Sequence, residues 1–252
     1  MNNKKIVVIL FLVACIISKP VLSQMVGNPA SVKGNGEFTL SVSGTYLHHV
    51  LSKETAISKR VLCKATWGAT SRIDLFVTLG SVGLRMKVDQ SGITEYEDKK
   101  RFAIGLGLNA ELISPTPDTP YHVWINAKAL RFKSSGFYTV NVPGTSDFYQ
   151  SDLVYDWREV QVSLCFKYNL SAFSVYGGAL GWVLQRHDER IEVWHGEYWG
   201  PERQVYQTGM WTGALVGIEV PLPYAYAISI ESTLFNEDNY QIMLGITQTG
   251  LQ

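Results

Sequence analysis

The chain has 252 residues, 46% hydrophobic and 17% charged, with 22 basic against 22 acidic side chains. That balance excludes the basic excess that a nucleic-acid binder uses. A hydropathy near neutral also excludes a helical membrane bundle but not a barrel, where every second residue faces a lumen.

The N-terminus reads as a cleavable export signal: basic Asn2-Asn3-Lys4-Lys5, the apolar run Ile6 to Ile17, then Val21-Leu22-Ser23 with a small residue ahead of Gln24. This divides the chain into a signal at 1–23 and one domain at 24–252. Loss of Lys4, Lys5 and Lys19 leaves the mature domain three charges acidic. A rival reading takes Leu12-Val13-Ala14-Cys15 as a lipobox, with Cys15 lipidated. The bulky Ile16 and Ile17 directly after the cysteine oppose it. No later stretch reaches the ~18 apolar residues of a transmembrane helix.

Ten segments with a period of two follow in chain order. They run Glu37 to Val50, Arg60 to Ala69, Ile73 to Val88, Arg101 to Leu112, Tyr121 to Phe132, Glu159 to Tyr168, Phe173 to Gln185, Thr208 to Val220, Tyr224 to Phe235, and Tyr240 to Gln248. In Arg101 to Leu112, large apolar residues at Phe102, Ile104, Leu106, Leu108 and Leu112 alternate with Ala103, Gly105, Gly107, Asn109 and Glu111. Each segment is near or above the ~9–11 residues that a tilted strand needs to cross a bilayer.

The connections alternate between tight and long. Thr70-Ser71-Arg72, Asn169-Leu170-Ser171 and Pro221-Leu222-Pro223 are tight, and Ser114 to Pro120 is stiffened by three prolines. Asp89 to Lys100, Lys133 to Arg158 and Arg186 to Gln207 are long and polar, Leu51 to Lys59 is intermediate, and Asn236 to Asn239 is short. Short turns on one side and longer loops on the other mark an outer-membrane barrel with both termini on the periplasmic side. The expected fold class is therefore all-β: a single closed antiparallel transmembrane β-barrel of about ten strands.

Alternation assigns the faces. Phe38, Leu40, Val42 and Tyr46, then Val160, Val162, Leu164, Phe166 and Tyr168, then Met210, Ala214, Val216, Ile218 and Val220, and Tyr226, Ile228, Ile230 and Leu234 point outward. A soluble sandwich would show the same period, but aromatics near the strand ends (Tyr46, Trp67, Tyr121, Trp124, Tyr168, Tyr224, Tyr226, Tyr240) fit the girdles of a membrane barrel. Cys63 and Cys165, in distant strands, are expected to lie beyond the ~7 Å reach of a disulfide.

Two phrases carry a resemblance. Trp67-Gly68-Ala69-Thr70-Ser71-Arg72-Ile73-Asp74-Leu75-Phe76-Val77-Thr78-Leu79-Gly80 looks like the strand-turn-strand phrase of bacterial outer-membrane β-barrel proteins. Phe173-Ser174-Val175-Tyr176-Gly177-Gly178-Ala179 resembles a strand of the OmpA/OmpX-like and small porin-like barrels. The resemblance implies location in the outer membrane of a diderm bacterium, contact with its lipid, and delivery by the outer-membrane assembly machinery. These barrels often end on an aromatic residue, whereas this chain ends Gln248-Thr249-Gly250-Leu251-Gln252.

Lumen-facing charges are expected at Glu37, Lys64, Asp74, Glu111, Lys128, Glu159, Lys167, Glu219 and Glu231. In so narrow a barrel they would pair and fill the tube; a narrow, cation-preferring channel is the alternative, since carboxylates outnumber ammonium groups. A surface hydrolase like the omptin-like proteases would use His187-Asp188 with Asp147 and Asp152, but the spacing does not match that family. No enzyme activity, cofactor or metal is expected: His48 and His49 are strand neighbours on opposite faces, and His195 stands apart. The segment Arg186 to Gln207, with Trp194, Tyr198, Trp199 and Tyr206 among carboxylates, reads either as a hairpin above the membrane or as an extracellular recognition loop. The function expected from sequence is a surface-presenting structural barrel with a side-chain-filled lumen, or a small porin as runner-up.

Cleavage after Ser23 predicts an exported protein beginning at Gln24. Intact mass reads this directly, and a mass carrying lipid on Cys15 would establish the lipoprotein reading instead.

Overall fold

Residues with a period of two and frequent β-branched and aromatic side chains favour pleated, half-buried strands, and the computed structural model is built almost wholly of them. It describes residues 36–51, 54–88, 96–98, 101–116, 120–141, 148–194, 197–198, 203–236 and 238–251. The strands are β1 (Phe38–Leu51), β2 (Glu54–Gly68), β3 (Ile73–Val88), β4 (Tyr96–Glu97), β5 (Arg101–Ile113), β6 (Tyr121–Asn141), β7 (Phe148–Asn169), β8 (Ser174–Trp194), β9 (Glu197–Tyr198), β10 (Arg203–Leu222), β11 (Tyr226–Asn236) and β12 (Asn239–Leu251). All but β4 and β9 are long, and each long strand pairs antiparallel with the long strands before and after it.

The seam between β1 and β12, where Tyr46 opposes Ile242 and His48 opposes Tyr240, closes the sheet into a ten-stranded barrel. Closure removes the two open edges whose unpaired N–H and C=O groups hydrocarbon cannot solvate. The last strand is in place without a terminal aromatic: β12 pairs with β1 as far as Leu251 opposite Phe38.

The sequence-derived strands are too short at one end of the barrel. The expected loop Lys133 to Arg158 is mostly strand, with β6 and β7 paired up to Asn141 opposite Phe148. Above Ala129 the outward residues change to Arg131, Lys133 and Ser135, so the apolar period that marked the strand stops although the hydrogen-bonded ladder continues. Likewise Arg186 to Gln207 is largely a continuation of β8 and β10, which pair at Arg190–Arg203, with β9 folded onto β8. Asp89 to Lys100 contains β4, paired with β3 at Met86 and Arg85. At the other end the turns are tight, but the expected Pro221-Leu222-Pro223 link is displaced. β10 runs through Leu222, and a 3-10 turn spans Pro223–Ala225 with Tyr224 and Ala225 at positive φ. Tyr224 is thus a turn residue, not the start of β11. Pro223, which has no N–H to donate, begins the turn.

On every barrel strand the outward face carries apolar or small residues through its middle. Phe102, Ile104, Leu106 and Leu108 on β5, Val160, Val162, Leu164 and Phe166 on β7, and Ile242, Leu244 and Ile246 on β12 are all exposed, Leu106 to 65%. A soluble monomer does not carry an apolar belt of this extent; hydrocarbon accepts it. Cys63 lies on this outer face and the buried Cys165 faces inward; neither is in a disulfide.

Packing across the ladder is close where glycines sit opposite bulky neighbours. The Tyr176 ring covers Gly217 and the Phe76 ring covers Gly107, cross-strand pairs in which the ring fills the missing side chain. At Gly178 the partner backbone itself approaches: an added Cβ would run into the Leu164 carbonyl oxygen. Gly178→Val is therefore expected to destabilise the barrel by about 1–3 kcal/mol or more, the usual cost of overpacking. Gly181→Ala, whose Cβ meets nothing within 4 Å, is expected to leave it unchanged. The comparison is read as loss or retention of heat-dependent gel mobility and of the denaturant midpoint.

Candidate functional site

With lipid outside, the chemistry of this fold lies in its lumen. β2 and β7 face each other with β3, β5 and β6 between them. Inward alternation puts Arg60 on β2 and Glu159 on β7, and the two meet across the tube. The guanidinium forks onto the carboxylate, Nη1 to Oε1 at 2.6 Å and Nη2 to Oε2 at 3.3 Å, with both side chains shut off from solvent. Arg60 Nε–H also donates to Ser58 Oγ at 3.0 Å, and Trp157 Nε1–H donates to Glu159 Oε2 at 3.1 Å. The Phe132 ring lies 5.5 Å from the guanidinium carbon. Bidentate geometry and extra donors are what a buried ion pair needs to offset desolvation. Beside this layer, Ser43, Leu62, Lys64, Thr78 and Lys128 line a cavity of about 10 Å³, room for about one water.

A second bridge lies nearer the long-hairpin end. Arg186 on β8 reaches Glu54 on β2, the strand on the far side of the barrel, at 2.7 Å, and its own-strand neighbour Asp188 at 2.7 Å. The Tyr155 ring lies 5.1 Å from the guanidinium and meets Tyr96 edge-on at 4.9 Å. The Tyr96 hydroxyl is 2.7 Å from Ser134 Oγ, and burial pushes this phenol well above its ordinary pKa, so it stays neutral. Alongside, His49 is enclosed by Trp182 and Trp211, with ring centroids at 4.6 and 4.2 Å. Toward the tight-turn end, Lys167 pairs with Glu219, and Glu111 takes His122 at 2.8 Å, the imidazole stacked on Trp124.

The nine lumen candidates are distributed as follows. Lys64, Asp74, Lys128, Glu159, Lys167 and Glu231 are buried on the inward face. Glu111, Glu219 and Glu37 are half-buried toward the tight-turn end. The structure joins Lys167 to Glu219 and Glu159 to a partner absent from the expected set, Arg60. Arg60, Glu54, Arg186, Asp188, His49 and His122 are not among the nine lumen charges expected from sequence, where Asp188 enters only with His187 for a hydrolase and His49 only as a candidate metal ligand. For the first four, the signal was parity carried past the apolar stretch: Arg60 shares a face with Lys64, and Arg186 and Asp188 continue the register of Trp182 and Leu184.

Among the recognition candidates, Trp194, Tyr198 and Tyr206 fall on β8, β9 and β10 within the extended hairpin, and Trp199 lies outside the described residues. Asp147 and His195 also lie outside them. His187 and Asp188 are successive strand residues on opposite faces, and Asp188 is committed to Arg186, so the two form no dyad with each other. His48 points outward, stacked on Tyr240 at 5.2 Å, away from His49.

No family model matches the chain, and no curated protein is similar to it in sequence. Solved structures do match. The translocator domain of the autotransporter NalP from Neisseria meningitidis is 11% identical, covers 86% of this chain and 89% of its own, and superposes with a TM-score of 0.50. An outer membrane channel from Pseudomonas putida F1 covers 90% of this chain and all of its own at 10% identity, TM-score 0.45. Ail, the attachment invasion locus protein of Yersinia pestis, covers 86% and 99% at 13% identity, TM-score 0.34. At such identities the likeness concerns the fold and not the activity. The chain has the fold of the bacterial outer-membrane β-barrels.

Proposed function

We propose that this protein is a side-chain-filled barrel of a bacterial outer membrane. Its task is to hold the long β6–β7 and β8–β10 hairpins at the cell surface. The observation that carries this reading is the Arg60–Glu159 pair, which spans the lumen at 2.6 Å with no solvent exposure. The Arg186–Glu54 bridge above it, together with the buried rings of Trp157, Trp182 and Trp124, supports the same reading. The apolar outer belt supports the membrane location, and the long hairpins, opposite the tight turns, support a surface-facing role. In this reading the extended β8–β9–β10 hairpin, whose sequence includes Trp194, Tyr198 and Tyr206, is the contact region for an extracellular ligand.

The competing assignment is a narrow channel with a preference for cations. Planar-bilayer conductance decides between them: the refolded wild-type barrel is expected to give a silent bilayer. The double variant Arg60→Ala/Glu159→Ala, which clears both charges, is expected to give small steps. Glu159→Ala alone should lower stability by about 3–5 kcal/mol, because it strands a buried guanidinium, and the double variant should recover part of that loss. Steady wild-type steps with cation selectivity would replace the filled-barrel reading by the channel.

A further inference from the structure

Immediately beyond the apolar belt, at the long-hairpin end, one side of the barrel is basic on its outer face. On β6 the outward series runs Val123, Ile125, Ala127, Ala129 and then Arg131 and Lys133; on β7 it runs Phe166, Leu164, Val162, Val160 and then Arg158. On β2, Lys59 follows Val61, and on β3, Arg85 and Lys87 stand beyond Leu79 and Ser81. All six basic residues are exposed. On the opposite side the outward residues at the top of the belt are Val183, Met210, Asn236 and Tyr240. The charge is thus a crescent over β2, β3, β6 and β7 and not a ring.

Its centre is an unusual arrangement. Arg131 and Arg158 are direct cross-strand partners, as are Lys133 and Asp156. Like charges directly opposite repel. Asp156 relieves this by accepting from Arg131 Nη2 at 2.7 Å and from Arg158 Nη2 at 2.8 Å. One carboxylate against two guanidiniums and an ammonium leaves a surplus of positive charge, and each arginine side chain keeps about half its surface exposed, 51% and 52%. The surplus sits where the apolar belt ends, so one molecule can satisfy both only if it joins acyl chains to an anionic head.

We propose that Arg131, Arg158 and Lys133, flanked by Lys59 and Arg85, bind the phosphate groups of a phosphorylated outer-leaflet glycolipid whose acyl chains lie on the belt below. The inference rests on the outer-membrane reading. Phosphate suits the site because, with Arg131 Nε and Nη2 and Arg158 Nη2 held by Asp156, the two guanidiniums keep their Nη1 groups and Arg158 Nε as further N–H donors to its oxygens. The interaction stands at the membrane boundary, where it is less screened than in bulk water.

Native mass spectrometry of the detergent-folded protein tests it, with bis-phosphorylated lipid A, phosphatidylglycerol, phosphatidylcholine or inositol hexakisphosphate added in parallel. Only samples whose unboiled form migrates as a folded barrel are scored. A protein that shows no heat-dependent shift therefore overturns the membrane reading, and with it the support for the site, separately from the binding result. Wild type is expected to retain lipid A in preference to the other three. Arg131→Gln/Arg158→Gln, which removes both charges and keeps an unbranched polar side chain, should lose about tenfold or more of that retention, the scale of one charge-assisted hydrogen bond. Lys59→Ala/Arg85→Ala, which leaves the centre intact, should lose less. Retention unchanged in the Gln variant overturns the proposal. Equal retention of phosphatidylcholine reduces the surface to unspecific annular lipid, and equal binding of inositol hexakisphosphate makes it a site for soluble polyanions; either outcome also overturns it.

Discussion

A backbone amide or carbonyl inside hydrocarbon has no water to bond to, and each one left unpaired costs several kcal/mol. Where, as among the described residues, no helix is long and apolar enough to cross a membrane, this leaves one architecture, a sheet closed on itself. Here closure depends on the β1–β12 seam, which joins the first and last strands across nearly the whole sequence. The tight turns at Gly68–Ile73 and Asn169–Ser174, the short Asn236–Asn239 link and the long hairpins all serve to bring successive strands into register so that this last pairing can form. The fold contains few local contacts beyond its hairpins, so closure is the step at which the other pairings become mutually supporting.

Closure inverts the usual hydrophobic arrangement. The belt residues go out to lipid, and the interior combines polar residues such as Thr39, Ser41, Ser43, Asn109 and Gln161 and the charged set with a cluster of aliphatic and aromatic side chains that includes Leu62, Leu84, Leu130, Trp157 and Trp182. A tube of this size admits side chains from opposite walls to one another, and charge is tolerable there only when paired. The fork of Arg60 onto Glu159, supported by Ser58 and Trp157, satisfies that condition, and Arg186 between Glu54 and Asp188 repeats it one layer higher. These bridges tie opposite walls together, so the same contacts that make the interior electrostatically acceptable also obstruct it.

The outer face obeys a different rule at its two ends. Toward the tight turns it closes with aromatic residues such as Tyr121, Tyr168 and Tyr224, amphipathic rings suited to an interface. Toward the hairpins one half closes with arginine and lysine, so the two ends, and the two sides of the hairpin end, meet chemically different surroundings. The hairpins extend past both, and their ladders remain formed although the apolar signal has ended.

What the sequence determined by itself was the local half of the structure. The period of two, the belt residues from Phe38 to Ile246, the tight turns and the count of long strands were legible because each depends on residues near one another in the chain. The continuation of β6, β7, β8 and β10 was not, since above the belt the apolar face turns from outward to inward, as with Leu153, Tyr155 and Trp157 on β7, and the outward apolar series that marks a membrane strand ends. Nor were the ion pairs: Glu159 and Lys64 could be assigned to the lumen by parity, but Arg60 and Glu159 are 99 residues apart and Glu54 and Arg186 are 132 apart. Which inward charge meets which across the tube follows from the stagger between strands and the closing register. Only the tertiary structure decides that, because it is a property of the whole ring of strands and of no single segment.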